Sequence, residues 1–491
     1  MDIVYFKSLF YAGLPVWLLT AGAILTLTLD ALFPKKGMKM IYAAGSLVVG
    51  VSLYFSFKQW MTGSPVAQDL FLADKLTQFF VVVVLFVALV SLLNAYAYLK
   101  ARGSGKGILP GAIVTLILFS AVGMIFLFAS DHLIVNFIGL EIMSLAIYVL
   151  VGSNRKDVRS NEAAMKYFVM GSAASALLLY GIALLYGSYG SFQLSELAKI
   201  SSIPTAVYLP RIGVALVLAG VLFKLAIAPF HFWVPDVYEG APSPITGFMA
   251  TGVKVAAFAL LIRVLITLHS IPDTSISLVL TVCTVLTLLA GNLGAIVQDN
   301  VKRMLAYSSI AHAGYLLLGL AVGFKEGAFD PQVSQAVLFY LVGYSFMTLG
   351  AFAVLSVMVQ DKKEATQFTD LNGMGYTNPW LAAAFSLFMI SLLGIPGTVG
   401  FAGKYAVFSY AVKTGHLGLA VFGILTSLVS AYYYLRPLVV MYFRGEGGRK
   451  IGALPLPALA SLVFCAAAVI YLGLFPSDYL KMAELAVAAF K

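Results

Sequence analysis

Seven charged side chains fall inside long apolar runs of this sequence: Glu141, Lys166, Lys224, Lys254, Arg263, Lys404 and Arg436. An ionisable group near mid-bilayer costs at least about 2.5–3.5 kcal/mol on insertion scales, which makes each a functional candidate by default. The set holds one carboxylate and six bases. Burial disfavours a charged amine and a nearby acid favours it, so moving or neutralising the acid switches a lysine between holding and releasing a proton. Glu141, at the centre of FIGLEIMSLAIYVL, and Lys224 form the candidate pair for this chemistry, with Lys254 as a middle station and Lys404 as the exit-side one. Thr251 lies one turn from Lys254 on the same expected face. Lys166 reads equally as a relay group or a structural connector. Arg263 and Arg436 stand toward span ends, where a long side chain can reach the interface, and arginine does not deprotonate in proteins. His231 and His312 can shuttle protons near neutrality. For each of them a satisfied polar contact is an equally good reading, and a structural ion pair remains open for Glu141.

The stretch LFKLAIAPFHFWVPDVYEGAPSP, residues 222 to 244, concentrates these features. Pro229 removes a backbone donor and clashes with the preceding turn, so it breaks the helix that carries Lys224. His231, Trp233, Asp236 and Glu239 follow, and the apolar run then resumes around Lys254. Inside a membrane, loose backbone is tolerated where it faces protein or a water-filled cavity. A lysine beside such a break points to an ion path.

The elements that must position these groups are membrane helices. The 491 residues are 61% hydrophobic and only 11% charged, whereas a soluble domain carries about 25% charged residues. The expectation is an all-α polytopic membrane protein with fourteen spans: 11–33, 40–60, 76–99, 110–129, 132–152, 162–188, 209–233, 244–268, 276–297, 304–324, 332–359, 380–411, 417–443 and 452–474. Residues 477–491 read as a short amphipathic tail. The net charge of +10 reflects loop composition and does not call for nucleic acid. Loops after odd-numbered spans carry 16 Lys and Arg against 9 on the other side, the remaining six of 31 lying within spans. The odd loops are therefore expected in the cytoplasm and both termini outside. Cys283 and Cys465 lie in apolar spans, where packing is the expected role and a metal cluster is not. No nucleotide-binding loop, cluster-type cysteine set or nucleophile triad is present, so no metal or redox cofactor is expected on this chain.

The seventh span breaks at Pro229 and the twelfth, SLLGIPGTVGFAGK, at Pro396 before Lys404. Each is the fourth helix of a five-helix set, spans 4–8 and 9–13. Five is odd, so the second set enters from the other face, the pattern of inverted repeats around a central site. This gives an N-terminal three-helix segment (1–109), two repeats (110–270 and 271–445) and a C-terminal helix with tail (446–491).

At GLEIMSLAIYVLVG (139–152), SNEAAMKYFVMGSAASALLLYGIALLYG (160–187), FKLAIAPFHFWVPDVYEGAPSPITGFMATGVKVAAF (223–258), NVKRMLAYSSIAHAGYLLLG (300–319), NPWLAAAFSLFMISLLGIPGTVGFAGK (378–404) and SAYYYLRPLVVMYF (430–443), the chain resembles the antiporter-like membrane subunits of respiratory complex I. The resemblance implies fourteen helices in two inverted repeats and a hydrated polar axis in mid-membrane. It also implies proton transfer driven by quinone reduction elsewhere in a bacterial inner-membrane complex, with NADH, flavin and iron–sulfur clusters held by other subunits and other membrane subunits as partners. By motif it places Glu141, Lys224, Lys254 and Lys404 on the axis, and Lys166, Lys302 and His312 at further family positions. A multi-subunit cation/proton antiporter of the related family is the alternative. A scaffold whose buried charges only hold helices together is the third.

Overall fold

A lipid-embedded chain must satisfy its own backbone, and the apolar runs do so as helices. The computed structural model describes residues 3–33, 37–62, 71–103, 109–195, 208–267, 274–325, 328–360, 363–445 and 451–488. Lys35, Lys36, Lys106, Lys199, Lys362, Arg449, Lys450 and Lys491, used in the charge count, lie outside the described residues, as does most of the connection 189–208.

An opening segment comprises α1 (Ile3–Ala12), α2 (Leu14–Leu32), α3 (Met38–Thr62) and α4 (Lys75–Arg102). The first five-helix set follows: α5 (Pro110–Phe128), α6 (Leu133–Val151), α7 (Val158–Tyr189), the broken pair α8 (Leu209–Leu225) and α9 (Val234–Gly240), then α10 (Ser243–Phe248) running into α11 (Lys254–Thr267). The second set is α12 (Thr274–Ile296), α13 (Val301–Ala321), α14 (Ser334–Val357), the broken pair α16 (Pro379–Leu393) and α17 (Val399–Lys413), and α18 (Leu417–Phe443), with short α15 (Met374–Thr377) before the break. Last come α19 (Leu456–Leu474) and the amphipathic α20 (Pro476–Val487), the expected tail. Among the described residues twelve helices are long and apolar enough to cross a membrane. The two broken pairs supply the remaining crossings of the expected fourteen. Two small antiparallel ladders, β1 (Phe324–Lys325) with β2 (Ala328–Phe329) and β3 (Val359–Gln360) with β4 (Lys363–Glu364), tie off loops that the sequence reading left irregular.

Burial is unevenly shared. The crossings at 243–267, 301–321 and 331–357 are almost wholly buried, while α2, α3, α18 and α19 turn most of their surface outward. Helices that are apolar all round belong in the centre, and these three central ones carry Lys254, His312, Tyr340 and Tyr344. Fold and chemistry therefore meet in the same three helices.

The breaks differ from one continuous span in a physically simple way. Helix α8 ends at Leu225, four residues before Pro229, and Ala226 turns left-handed with φ +61°. The amide of Ala228, freed by the break, donates to Thr287 Oγ1 at 2.9 Å on α12. Helix α16 ends at Leu393 and is capped by Gly394, also left-handed (φ +96°), a conformation in which glycine escapes the Cβ clash. Residues 234–240, which fall between the expected spans 209–233 and 244–268, form α9.

Arg263 corrects one expectation. It does not reach out to the interface. It is 6% exposed and grips the Asp74 carboxylate with both terminal nitrogens, at 2.9 and 3.1 Å, and donates to Thr77 Oγ1 at 2.7 Å. Asp74 is also the N-cap of α4, accepting from the Thr77 amide at 2.7 Å. This one carboxylate thus joins α4 to α11. Burial pushes the Asp74 carboxyl up, but Arg263 and Thr77 outweigh it and hold it below its ordinary 3.8. A depressed carboxylate contributes stability above its unfolded pKa and loses it as pH falls through the folded value. Stability should therefore drop below about pH 4. Asp74→Ala, which leaves Arg263 buried and uncompensated, should cost about 3–5 kcal/mol. Thermal unfolding of the detergent-solubilised variant across pH checks both; an unchanged midpoint would remove Asp74 from the account of stability.

Candidate functional site

Three lysines lie buried along the centre of the molecule, and none of them pairs with a carboxylate among the described residues. Lys224, in the last turn of α8, is 2% exposed. Its Nζ donates to Ser144 Oγ at 2.9 Å and Tyr148 Oη at 3.2 Å, both on α6, and lies over the Tyr148 and Tyr167 rings at 5.3 and 5.6 Å. Ser144 and Tyr148 share a face of α6 with Glu141, three and seven residues along from it. Glu141 acts on Lys224 through space, but no salt bridge joins them. The expected direct Glu141–Lys224 contact is therefore replaced by hydroxyls standing one and two turns along the same helix. One carboxylate oxygen of Glu141, Oε1, is buried without a hydrogen-bond partner.

Lys254 is 1% exposed and begins α11 directly after a π-helical turn, Met249–Val253. Such turns insert one residue into the helical register and are frequent at functional sites. Within the turn the Thr251 hydroxyl donates to the Gly247 carbonyl at 2.8 Å. Lys254 Nζ donates to the Ser309 carbonyl of α13 and lies 5.6 Å from the Tyr344 ring centre. Tyr344 Oη in turn donates to Ser309 Oγ at 2.8 Å.

His312 follows on the same helix. Both ring nitrogens are engaged, Nδ1 with Tyr340 Oη at 2.8 Å and Nε2 with Tyr434 Oη at 3.0 Å. Tyr434 Oη also meets Ser308 Oγ. Lys254 and Lys404 both act on this imidazole electrostatically. Of the tyrosine run on α18, Tyr433 and Tyr434 are buried and Tyr432 faces out. Tyr433 Oη donates to Asn292 Oδ1 at 3.0 Å, and Asn292 reaches Tyr315 Oη at 3.4 Å.

Lys404, in α17, folds back across its own break. Its Nζ donates to the Leu392 and Leu393 carbonyls at 3.2 and 2.8 Å and to Ser427 Oγ at 2.8 Å, and lies 4.9 Å from the Tyr315 ring centre. Those carbonyls are the unpaired last turn of α16, where helix termini leave acceptors free and the dipole favours a cation. Lys224 stands in the equivalent place, at the carboxyl end of α8. The order of lysine and proline differs between the two breaks in sequence, yet both lysines belong to the carboxyl end of a first half-helix, Lys224 as a residue of its last turn and Lys404 through its ammonium.

The remaining candidates separate from this line. Lys166 is exposed and binds Glu162 and Asp236 at 2.7 and 3.0 Å. Asp236 also binds Arg303 at 2.6 Å, and Arg303 reaches Glu239 at 3.0 Å, so the network laces α7, α9 and α13 together. Burial pushes the Asp236 carboxyl up, but Arg303 and Lys166 hold it below its usual range. Lys302 is buried and pairs with Glu364 at 2.8 Å. Glu364 was not a sequence candidate, because it sits in a polar stretch that reads as loop. His231 is buried with Nδ1 unpartnered, away from the hydrogen bonds that hold Lys224. Arg436 bonds Asp299 at 2.7 Å and the Gln298 carbonyl at 2.6 Å, in keeping with a span-end role.

Removing both acceptors, Ser144→Ala with Tyr148→Phe, should lower proton uptake through the assembled protein roughly tenfold, since a hydrogen bond to a charged group is worth about 1.5–3 kcal/mol. Each single change should cost less. Vesicle uptake normalised to assembled protein measures this, and an unaltered double variant would detach Lys224 from these hydroxyls.

Residues 130–430 match the family model described as NADH:quinone oxidoreductase/Mrp antiporter, TM. The NADH-quinone oxidoreductase subunit N of Halorhodospira halophila is 40% identical over 486 residues, 97% of this chain and 98% of that one. A chain of respiratory complex I from Thermus thermophilus with bound aureothin superposes with a TM-score of 0.79 at 35% identity, covering 95% of this chain and 98% of that one. A chain of the Mrp complex from Dietzia sp. DQ12-45-1b shares the fold, with a TM-score of 0.83 at 20% identity over 98% of this chain and 97% of that one.

Proposed function

The chain belongs to the NADH:quinone oxidoreductase/Mrp antiporter membrane family, among the subunit N relatives, and from this we propose that its buried lysines pass protons along mid-membrane while quinone is reduced elsewhere in the complex. It is a proton-translocating membrane subunit of a respiratory NADH-quinone oxidoreductase, assembled with other antiporter-like and small membrane subunits. Quinone, NADH, flavin and iron–sulfur clusters belong to the partner subunits in this reading. The bacterial subunit N relatives support a bacterial inner membrane, and the charge bias of the loops supports both termini on its outer side.

One observation carries the relay: Lys224, Lys254 and Lys404 are buried on neutral oxygens, and His312 stands between the last two. An ammonium held by hydroxyls and carbonyls can give up its proton without breaking a salt bridge. Glu141 supplies a charge at one end that biases Lys224 without locking it. From Lys254 the route runs by Ser309, Tyr344 and His312 toward Tyr315 and Lys404. From Lys224 to Lys254 no direct hydrogen bond exists among the described residues, and this reading assigns the step to water between the packed α8 and α11. Lys166, Lys302 and His231 have positioning or peripheral roles in this scheme.

A related cation/proton antiporter subunit would use the same residues, and the shared fold of the Mrp chain keeps that reading in view. Deleting the gene separates them. Loss of NADH-driven quinone reduction and pumping is the expected result; lost sodium tolerance with normal respiration would transfer the chain to the antiporters. Within the assembled complex, Lys254→Ala should cut proton yield by roughly tenfold or more while assembly stays near normal. Glu141→Ala and Lys224→Ala should act in the same direction. A Lys254→Ala complex that assembles and pumps like the parent would reduce the buried charges to scaffolding.

A further inference from the structure

The Lys302–Glu364 pair lies off the relay, yet it is among the most enclosed ion pairs described, with side-chain exposures of 3% and 14%. Its contacts are more specific than packing needs. Lys302 Nζ donates to the Ala241 carbonyl as well as to Glu364 Oε2. Glu364 Oε2 also accepts from the Ser243 hydroxyl at 2.6 Å, and its Oε1 accepts from the Ser243 amide at 3.0 Å. Ala241 and Ser243 are the turn that starts the helical run to Lys254, with α10 and the π-turn between. Lys302 is on α13, the helix whose Ser309 carbonyl receives Lys254.

The same two helices are therefore clamped twice. At the first clamp Lys302 of α13 holds the start of the Lys254 run. Seven residues further along α13, about 10 Å by helical rise, Ser309 holds Lys254 itself. Between the clamps lies the π-turn, the one place where this run carries an extra residue per turn. A slip of the first clamp shifts the register at which Lys254 meets Ser309. We propose that Glu364 is a positioning residue for proton transfer, holding the Lys254 helix in register on α13 through Lys302 and Ser243. The inference rests on the relay reading above.

Glu364 itself is not a proton carrier in this scheme. Burial pushes its carboxyl up, but Lys302 and Ser243 outweigh burial and keep it below its ordinary 4.5, so it stays charged throughout the working pH range. Tyr98 of α4 also faces it, and Arg102 holds the Tyr98 hydroxyl at 2.7 Å. The carboxylate is a fixed charge that lets Lys302 remain buried.

The test compares Glu364→Gln, Glu364→Asp and Lys254→Ala in the purified, intact complex reconstituted in vesicles. The readouts are proton yield per assembled complex and thermal stability. Glu364→Gln should lower proton yield at least threefold per assembled complex, as network positions do, and Glu364→Asp should restore part of it. Normal yield from Glu364→Gln beside a failing Lys254→Ala overturns this proposal alone. Reduced assembly or stability at unchanged yield per assembled complex also overturns it, leaving Glu364 as a structural brace. Normal yield from Lys254→Ala overturns the relay reading beneath it.

Discussion

The structure depends on keeping amines inside a low-dielectric interior without giving them carboxylates. A buried salt bridge would satisfy Lys224, Lys254 or Lys404, yet breaking one by moving a single partner costs about 3–5 kcal/mol. Neutral oxygens offer a weaker and more reversible hold. Here they come from helix-borne hydroxyls at Ser144, Tyr148 and Ser427 and from backbone carbonyls of Ser309, Leu392 and Leu393. Full ion pairs are reserved for positions off the line: Asp74 with Arg263, Glu364 with Lys302, and the Lys166–Asp236–Arg303–Glu239 network. The strong pairs fix helices in place, and in the proposed relay the weak holds leave the lysines free to change state. That division of labour recurs throughout the molecule.

Helix breaks make the arrangement possible. Inside a continuous membrane helix each carbonyl already accepts from an amide, so a lysine that takes one shares it, as Lys254 shares the Ser309 carbonyl, whereas a helix end offers carbonyls with no amide partner. Interrupting α16 exposes the Leu392 and Leu393 carbonyls at mid-structure, and Lys404 takes them. Interrupting α8 places Lys224 in a final turn and sends the freed Ala228 amide to Thr287 of the other five-helix set. The two sets therefore share a hydrogen bond at the first break as well as those of Lys254 and Lys302 along their packed faces.

Much of this was legible in the sequence. Apolar runs of about 20 residues gave the crossings, because lipid demands both length and low charge. Pro229 and Pro396 marked the two breaks. Lys224, Lys254, Lys404 and His312 stood out because charge in an apolar run is costly whatever surrounds it. What was not legible concerned partners. Glu141 and Lys224 were expected in contact, but spacing along one helix says nothing of which hydroxyls a facing helix will meet. Arg263 looked like a span-end residue until Asp74, 189 positions away, closed on it. Glu364 was hidden because a polar hairpin residue carries no signal of burial, and the π-turn before Lys254 because one extra residue in a helix leaves no periodic trace. The shared position of Lys224 and Lys404 at half-helix ends was masked by their opposite order relative to proline.

One consequence follows from the way Lys404 is tied down. Its three ammonium hydrogens are all committed, two to carbonyls and one to the Ser427 oxygen. A neutral amine has only two hydrogens to give but gains a lone pair. When Lys404 is neutral, either a carbonyl of the interrupted helix goes unserved or the Ser427 hydroxyl rotates and becomes the giver. The electrostatic attraction to the end of α16 fades at the same moment. Charge state and local backbone order at this kink are thus one variable, so a passing proton would leave a mechanical signature in the helix it crosses.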